Sequence, residues 1–166
     1  MTKPAAGLPA ALRDQIRAGD AERIRALARD TGFFSAEEEQ IAGELAEESL
    51  ARGEAAGYHY LFCEEGAELV GYTCFGPIPC TQASWDLYWI AVAPRMQGHG
   101  LGRHLALATE ERIRARGGTR VYVDTSGRVQ YRPTRAFYEA CGYGVAARFE
   151  DFYAPGDDKV VYLKVL

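Results

Sequence analysis

The stretch that decides the fold is Gln97-Gly98-His99-Gly100-Leu101-Gly102, because of what stands on either side of it. Residues 87–92 before it are rich in β-branched and aromatic residues, which predicts a strand. In residues 103–116 after it, apolar residues recur near helical spacing. A strand, a glycine loop and a helix in this order point several backbone N–H groups at one place, where the helix dipole favours negative charge. The sequence therefore predicts a phosphate or pyrophosphate site.

This loop has three other interpretations, and the spacing of its residues argues against the first two. A P-loop requires a Lys-Ser/Thr pair at the helix start, and Arg103-His104 stands there instead. A dinucleotide fingerprint has support from Gly98-x-Gly100 and from Asp124, which ends the next predicted strand. However, its third glycine would fall at Arg103, and residues 93–97 make the turn too long. An ordinary flexible connection is the remaining interpretation.

A second segment, Pro133 to Tyr143, predicts a short helix with proline in its first turn and Gly142 just past its end. With the first segment, it resembles the GCN5-related N-acetyltransferase (GNAT) family. Gln97-x-x-Gly100-x-Gly102 is similar to that family's acetyl-coenzyme A loop, Gln/Arg-x-x-Gly-x-Gly/Ala. Ala136-Phe137-Tyr138-Glu139, followed by Gly142-Tyr143, resembles its later helix-and-strand signature. The resemblance covers residues 58–166 well and the rest more loosely.

The resemblance implies an α/β (α+β) fold, in which a mixed, mostly antiparallel central sheet is flanked by helices, the acyl-CoA N-acyltransferase fold. The predicted elements agree, since hairpins stand before and after a central strand–loop–helix–strand unit, whereas a doubly wound sheet would alternate strands and helices throughout. A capping box of Ser35 and Glu38 opens the second helix. Predicted helices span 21–29 (capped by Asp20), 35–52 and 103–116, and a fourth runs from Pro133 to just before Gly142. Predicted strands span 58–64, 69–76, 87–92, 120–124, 143–153 and 159–165. Residues 11–17 form either a first strand or a helical turn.

Size and composition predict one folded domain. The chain has 166 residues, of which 48% are hydrophobic, so disorder is not expected. We expect a flexible N-terminal tail over residues 1–10 and a single N-acetyltransferase domain over 11–166. The sequence contains no 18-residue apolar run and no apolar signal core near its start. We therefore expect a cytoplasmic protein with no membrane partner.

Charge is distributed unevenly along the chain. The net charge is −4, yet residues 95–135 hold nine arginines against three carboxylates. Such a segment suits a ligand with several phosphates. The candidate phosphate contacts are Arg95, Arg103, Arg128, Arg132 and Arg135. Because the whole chain is acidic and lacks a basic patch with interleaved aromatics, nucleic acid is not expected as a partner.

Cysteine and histidine positions argue against a metal centre. Cysteines 63, 74, 80 and 141 form no Cys-x-x-Cys pair, and histidines 59, 99 and 104 form no cluster in the sequence. We predict no metal site and expect reduced, mostly buried thiols. The resemblance implies acetyl-CoA as co-substrate.

The resemblance also implies roles for individual residues in acetyl transfer. The backbone of Ile90, Ala91 and Val92 is expected to bind the pantetheine arm and the thioester carbonyl. Tyr138 is expected to act as general acid, because its unperturbed pKa of about 10 lies near that of an alkyl thiol. The remaining predicted cofactor contacts are Gln97, Gly98, His99, Gly100, Leu101, Gly102, Arg103, Tyr131 and Thr134. Tyr131 stands where the family often has asparagine, so its contact must differ.

The general base and the acceptor are less constrained. Asp86, at the start of the central strand, is the first candidate for the base, with Asp124 and His59 as alternatives. Aromatic residues predicted to line the acceptor pocket are Phe33, Phe34, Tyr58 and Tyr88. The predicted activity is N-acetylation of an amine on a small molecule or peptide by direct attack in a ternary complex, and a homodimer is conceivable. The alternatives are a non-catalytic acyl-CoA-binding sensor and an NAD(P)-dependent oxidoreductase.

Overall fold

The computed structural model describes residues 12–166; the predicted tail, residues 1–10, and Ala11 lie outside them. Six strands form one sheet in the order β1-β2-β3-β4-β6-β5. The strands are β1 (His59–Glu65), β2 (Glu68–Pro77), β3 (Ser84–Val92), β4 (Arg120–Ser126), β5 (Gly144–Ala154) and β6 (Asp157–Val165). The helices are α1 (Asp20–Thr31), α2 (Ala36–Arg52), α3 (Leu101–Ala115) and α4 (Arg132–Ala140). The predicted mixed, mostly antiparallel sheet flanked by helices is confirmed.

The chain divides into two compact units. One comprises the described residues up to 76 together with 89–109, and the other comprises 77–88 together with 110–166. In the first unit, β1 and β2 form the predicted antiparallel hairpin, from His59↔Phe75 to Glu65↔Glu68. Its large fully buried side chains come from α1, from both strands of the hairpin and from α3: Ile24, Leu61, Phe62, Val70, Tyr72, Phe75, Leu101 and Leu105. Burial of these side chains supplies the main stabilising free energy of the unit.

The capping box predicted before α2 is present, and the cap predicted before α1 is wrong. The Glu38 N–H donates to the Ser35 hydroxyl, while the Glu38 carboxylate accepts from the Ser35 N–H. Asp20, by contrast, is itself the first residue of α1, and Gly19 occupies the N-cap position. The Asp20 carboxylate is buried against the guanidinium groups of Arg13, 2.8 Å away, and Arg23, 3.2 Å away. These ion pairs, one of them to a residue outside the helix, hold Asp20 in the interior.

The segment predicted as a strand or helical turn over 11–17 forms neither from residue 12 onward. Arg13 makes an isolated antiparallel bridge with Phe62 on β1, through N–O hydrogen bonds of 3.0 and 2.7 Å. Its guanidinium also lies 4.2 Å from the centre of the Phe62 ring. Arg13 therefore attaches this segment to β1, through its backbone hydrogen bonds and through a cation–π contact.

In the second unit, β6 pairs antiparallel with both β4 and β5. β3 pairs with β4 in parallel, from Ser84↔Arg120 to Asp86↔Tyr122. This ladder explains why β3 starts three residues before the predicted residue 87, because residues 84–86 are the ones that pair. The closing hairpin is confirmed, with a tighter connection than the predicted 154–158: only residues 155 and 156 separate β5 from β6.

Short 3₁₀ turns, which were not predicted, cover Gly53–Ala56, Pro94–Met96 and Val129–Tyr131. The other predicted boundaries lie within two residues of those observed. α3, for example, starts at Leu101 rather than at residue 103. None of the helices within residues 12–166 combines the length and the apolar character needed to cross a membrane.

Candidate active site

The glycine loop between β3 and α3 leaves unbonded amides at the start of the helix. Gly98 and Gly100 have φ values of 75° and 87°, in the left-handed region that favours glycine. The His104 N–H donates to the Gly100 carbonyl at 3.0 Å, which is the first i→i−4 bond of α3. The N–H groups of the three residues between them, 101–103, therefore have no acceptor within the helix. An anion at this turn would accept hydrogen bonds from these N–H groups and would be stabilised by the positive end of the helix dipole.

The side chains of this loop have different tasks. The Gln97 side-chain amide donates to the Val92 carbonyl at 3.0 Å, which ties the loop to the end of β3. The Leu101 side chain is fully buried, so this residue can offer a ligand only its backbone amide. His99 and Arg103 are exposed. On β3, Ala91 is buried, while Ile90 and Val92 are half-buried.

The structure separates the five arginines predicted to contact phosphate. Arg95 pairs with two carboxylates of the β1–β2 hairpin, at 2.6 and 2.9 Å. Arg128 pairs with a β6 carboxylate at 3.1 Å, and Arg135 donates to two backbone carbonyls at 2.7 and 2.9 Å. Within residues 12–166, Arg103 and Arg132 have no ion-pair partner. Among the described residues Arg135 is not paired with a carboxylate either, so the charges available to an anionic ligand are those of Arg103, Arg132 and Arg135.

Tyr138 is the buried residue of α4, with 5% of its surface exposed, while the adjacent Phe137 is half-buried. Its ring contacts those of Tyr143 and Tyr162, both with a centroid distance of 5.8 Å. Burial, reinforced by the nearby Cys141, raises the pKa of the Tyr138 phenol. At neutral pH the hydroxyl therefore keeps its proton, the state required of a general acid. The close match to the pKa of an alkyl thiol, expected from the unperturbed tyrosine value, does not hold for this buried phenol.

A buried ion pair that the sequence analysis missed supports the end of α4. Glu110 on α3 is 1% exposed, and both of its oxygens accept from Lys164 Nζ on β6, at 2.9 and 2.8 Å. Lys164 Nζ also donates to the Cys141 carbonyl, which follows α4, at 2.8 Å. The Tyr143 hydroxyl donates to Glu110 at 3.2 Å. A signal was present, because Glu110 lies three residues before the buried Ile113 on the apolar face of α3.

The loop between β4 and α4 is also held by buried polar groups. The Ser126 hydroxyl hydrogen-bonds the Asp157 carboxylate, and the Arg128 N–H donates to the Ser126 hydroxyl at 3.1 Å. The two residues of this region that were predicted to contact the cofactor come next in the chain. Tyr131 ends the 3₁₀ turn and Thr134 lies in the first turn of α4, and both are half-buried.

Asp86, the first candidate for the base, lies opposite Tyr122 in the β3–β4 ladder. Asp124, two residues further along β4, points to the same face of the sheet. Its carboxylate is 2.7 Å from Lys159 Nζ. Burial, and then the charge of Asp124, raise the pKa of Asp86 to about 6, with Lys159 acting in the opposite direction. A carboxylate with this pKa is well matched to proton abstraction near neutral pH.

The aromatic residues predicted for the acceptor pocket differ in their surroundings. Phe34 packs edge-on against Trp89, with ring centroids 5.2 Å apart. Phe33 and Tyr88 each have 38% of their surface exposed. Tyr58 is half-buried, and burial raises its pKa.

Of the other chemistry-bearing residues, His59, the third candidate for the base, lies against the Phe75 ring at 5.7 Å. The four cysteines are free, and all but Cys80 are buried, as predicted. Within the described part of the chain, no group of three or more His, Cys, Asp or Glu side chains is placed to hold a metal ion.

Comparison with known proteins decides the family. The model of the Acetyltransferase (GNAT) family matches residues 21–143 of this chain. The protein belongs to the GNAT family. A comparison with curated protein sequences gave no match.

Solved structures agree with the family assignment. A Desulfovibrio desulfuricans protein assigned to the GNAT acetyltransferases is 44% identical to this GNAT protein, with a TM-score of 0.92 over 93% of this chain and 98% of the other. Aminoglycoside 6'-N-acetyltransferase from Enterococcus faecium is 18% identical, with a TM-score of 0.73 over 93% and 96% of the two chains. PaiA N-acetyltransferase from Thermoplasma acidophilum, in complex with coenzyme A, is 16% identical, with a TM-score of 0.70 over 94% and 99%. The two more distant structures share the fold.

The family assignment confirms the resemblance drawn from the two sequence motifs. It makes the protein an acetyltransferase whose family implies acetyl-CoA as co-substrate. The mixed sheet, with neighbouring β4 and β6 antiparallel, does not match the doubly wound parallel sheet of a dinucleotide-binding oxidoreductase.

Proposed function

We propose that this protein transfers the acetyl group of acetyl-CoA to an amine of a small molecule or peptide, by direct attack in a ternary complex. The observation that carries the proposal is the turn before α3, where residues 101–103 leave three N–H groups without intrahelical acceptors. The open surroundings of Gly98 and Gly100, where an added Cβ would meet nothing within 4 Å, allow a ligand to approach the main chain. These features fit the pyrophosphate of coenzyme A.

Binding is assigned mainly to the backbone. The amides of residues 101–103 and the Arg103 guanidinium bind the pyrophosphate, and His99 borders it. The peptide groups of Ile90, Ala91 and Val92 bind the pantetheine arm, with one N–H directed at the thioester oxygen. Preorganised donors of this kind typically lower a barrier by about 3–4 kcal/mol. Tyr131 and Thr134 add side-chain contacts from the loop and first turn of α4.

Two side chains are assigned the proton transfers. Acetyl-CoA supplies the acetyl group as a thioester. Asp86 removes a proton from the acceptor ammonium, which frees the nitrogen lone pair to form the amide bond. Tyr138 Oη donates its proton to the sulfur as the carbon–sulfur bond breaks, and the thiol leaves neutral. The nitrogen loses its second proton in the same collapse to the amide, and a proton from solvent restores the Tyr138 phenol. The elevated pKa of Asp86, about 6, suits the role of base. Burial keeps the Tyr138 phenol protonated before the reaction, and its raised pKa makes it a weaker acid than a free tyrosine.

Acceptor recognition is assigned to the aromatic residues Phe33, Phe34, Tyr58 and Tyr88. The Enterococcus faecium protein is an aminoglycoside 6'-N-acetyltransferase. At 18% identity, its likeness to this chain shows a common fold and says nothing about a common substrate. We therefore propose an amine acceptor with an apolar portion that packs on these rings. The charged amine itself is directed toward Asp86.

An amine panel tests the activity. The protein is incubated with saturating acetyl-CoA and one amine at a time, and the released thiol is measured with a thiol reagent. Thiol release above the hydrolysis background with at least one amine supports the proposal. Stabilisation by coenzyme A without such release for any amine would favour the sensor alternative.

A thermal-shift series tests the ligand. Acetyl-CoA and free coenzyme A should raise the melting temperature, because a ligand that binds the folded state stabilises it by mass action. NAD(P) at the same concentrations should not. The opposite ranking would contradict the proposal.

A further inference from the structure

Three charged side chains, one of them the proposed base, come together on three successive strands of the sheet. Asp86 is on β3, Asp124 is on β4 and Lys159 is on β6. The parallel ladder sets Asp86 opposite Tyr122, so Asp124 follows on the same face, one side-chain step further along the sheet. The ammonium of Lys159 lies 2.7 Å from the Asp124 carboxylate.

We infer that the Asp124–Lys159 ion pair is a positioning device that sets the pH at which Asp86 can accept the acceptor's proton. This inference rests on the proposed function, in which Asp86 is the general base. Asp124 and Lys159 need not touch the substrate. They act through Asp86, and their opposite charges act on it in opposite directions.

The effect of Lys159 on Asp86 depends on where its ammonium group is held. It is held by Asp124 at 2.7 Å and lies 4.8 Å from the centre of the Phe152 ring on β5, so two contacts fix it. A lysine paired directly with Asp86 would stabilise the ionised carboxylate and make it a weak base. Because Asp124 takes the direct contact, Asp86 keeps its negative neighbour and only the more distant effect of the ammonium.

The charged and titratable groups that act on Asp86 come from β4, which pairs with β3, and from β6 on the far side of β4. β4 contributes Tyr122, directly opposite, and Asp124, while β6 contributes Lys159. Burial raises the pKa of Asp86, Asp124 raises it further and Lys159 lowers it, with a result of about 6. The residue before Lys159 in β6, Asp158, is already paired with Arg148 at 2.7 Å.

The test is the pH dependence of kcat/KM for the amine at saturating acetyl-CoA, which reports groups of the enzyme before the amine binds. The acidic limb should have its midpoint near pH 6, because the base must be deprotonated. Asp124→Asn removes a negative charge and should move the midpoint down. Lys159→Met removes a positive charge and should move it up. Each shift should be about half a pH unit or more, as expected for the removal of one nearby charge.

Matched variants separate this device from general effects of charge or folding. Glu150→Gln and Arg114→Met remove the same charges at exposed positions on β5 and α3, and should leave the midpoint within about 0.2 pH unit at moderate salt. Lys159→Arg keeps the positive charge and should restore the wild-type midpoint. A purely structural role would not produce shifts of opposite sign.

The failure of this inference and that of the proposed function are distinguishable. Asp86→Asn should abolish the acidic limb along with most of the activity. If the limb disappears in that variant, yet Asp124→Asn and Lys159→Met leave its midpoint unchanged or move it in the same direction, the ion pair does not tune Asp86. If the limb persists in Asp86→Asn, Asp86 is not the base, and both proposals are wrong on this point.

Discussion

The turn before α3 and the tyrosine of α4 both correspond to sequence motifs, but they are built in opposite ways. Residues 97–100 of the turn are exposed, and two glycines with positive φ lead the chain into residues 101–103, whose main-chain N–H groups are what the turn offers a ligand. Tyr138 is buried, and what it offers is one hydroxyl on a ring held by Tyr143 and Tyr162.

The comparison shows that the two regions have different physical determinants, one within the local chain and the other in the surrounding tertiary structure. The turn depends on local backbone conformation, which glycine spacing encodes directly. The proton affinity of Tyr138 depends on burial by residues from other elements. The turn should therefore respond to substitutions with changes in affinity, and the α4 region with changes in turnover or stability.

The largest expected effect is on turnover in Tyr138→Phe. Loss of the hydroxyl removes the proposed proton donor, and kcat should fall by about 10²–10⁴-fold, the usual contribution of general acid catalysis. The dissociation constant of coenzyme A, measured by calorimetry, should stay within about twofold of wild type. Tyr153→Phe, which removes an exposed phenol, is the matched control and should keep full turnover. Unchanged kcat in Tyr138→Phe would remove this residue from the mechanism.

Stability of the α4 region should depend on the buried ion pair behind it. Lys164→Met leaves the carboxylate of Glu110 buried without its counter-charge, and should lower the free energy of unfolding in urea by about 3–5 kcal/mol. Arg52→Met breaks the exposed pair with Glu48 and should cost at most about 1 kcal/mol. Equal losses in the two variants would show that burial does not distinguish these ion pairs.

At the turn, Gly100→Ala should weaken cofactor binding. Alanine at a φ of 87° is strained by about 1–2 kcal/mol, and relief of that strain moves the amides that follow. The dissociation constant of coenzyme A should rise by about tenfold, while kcat at saturation changes little. Gly144→Ala, on β5, has neither positive φ nor a close neighbour and serves as the control. A selective loss of kcat would contradict the binding role.

The smallest expected effect distinguishes the arginines. Arg103→Met should raise the dissociation constant of coenzyme A by about two- to fivefold, as for an exposed charge pair, and the difference should shrink as salt is added. Arg95→Met should have less effect, because Arg95 is already neutralised by two carboxylates. A larger effect from Arg95→Met would mean that its ion pairs open to bind phosphate.

Sequence analysis succeeded where the determining interactions are local. The Ser35 capping box joins residues three apart, and the helix over 132–140 is bounded by a proline in its first turn and a glycine after its end. It failed at Asp20, whose buried carboxylate pairs with Arg13 outside the helix as well as with Arg23. It also missed Glu110, whose partner Lys164 is 54 residues away.

The candidate site divides in the same way. Glycine spacing identified the turn before α3, and the position of Tyr138 within its motif identified the proposed acid. The separation of the five arginines into paired and available ones required the β1–β2 hairpin and β6 to be in place. The charges that act on Asp86 could not be predicted from the sequence either, because they lie on two other strands.

The sequence by itself determined the order of strands, loops and helices, the glycine turn before α3 and the family, because these depend on residue spacing within short segments. Only the tertiary structure decided which ionisable groups are buried, which are paired and how readily each holds its proton. The physical reason is that charge interactions and desolvation depend on distances in space, which the pairing of remote strands sets.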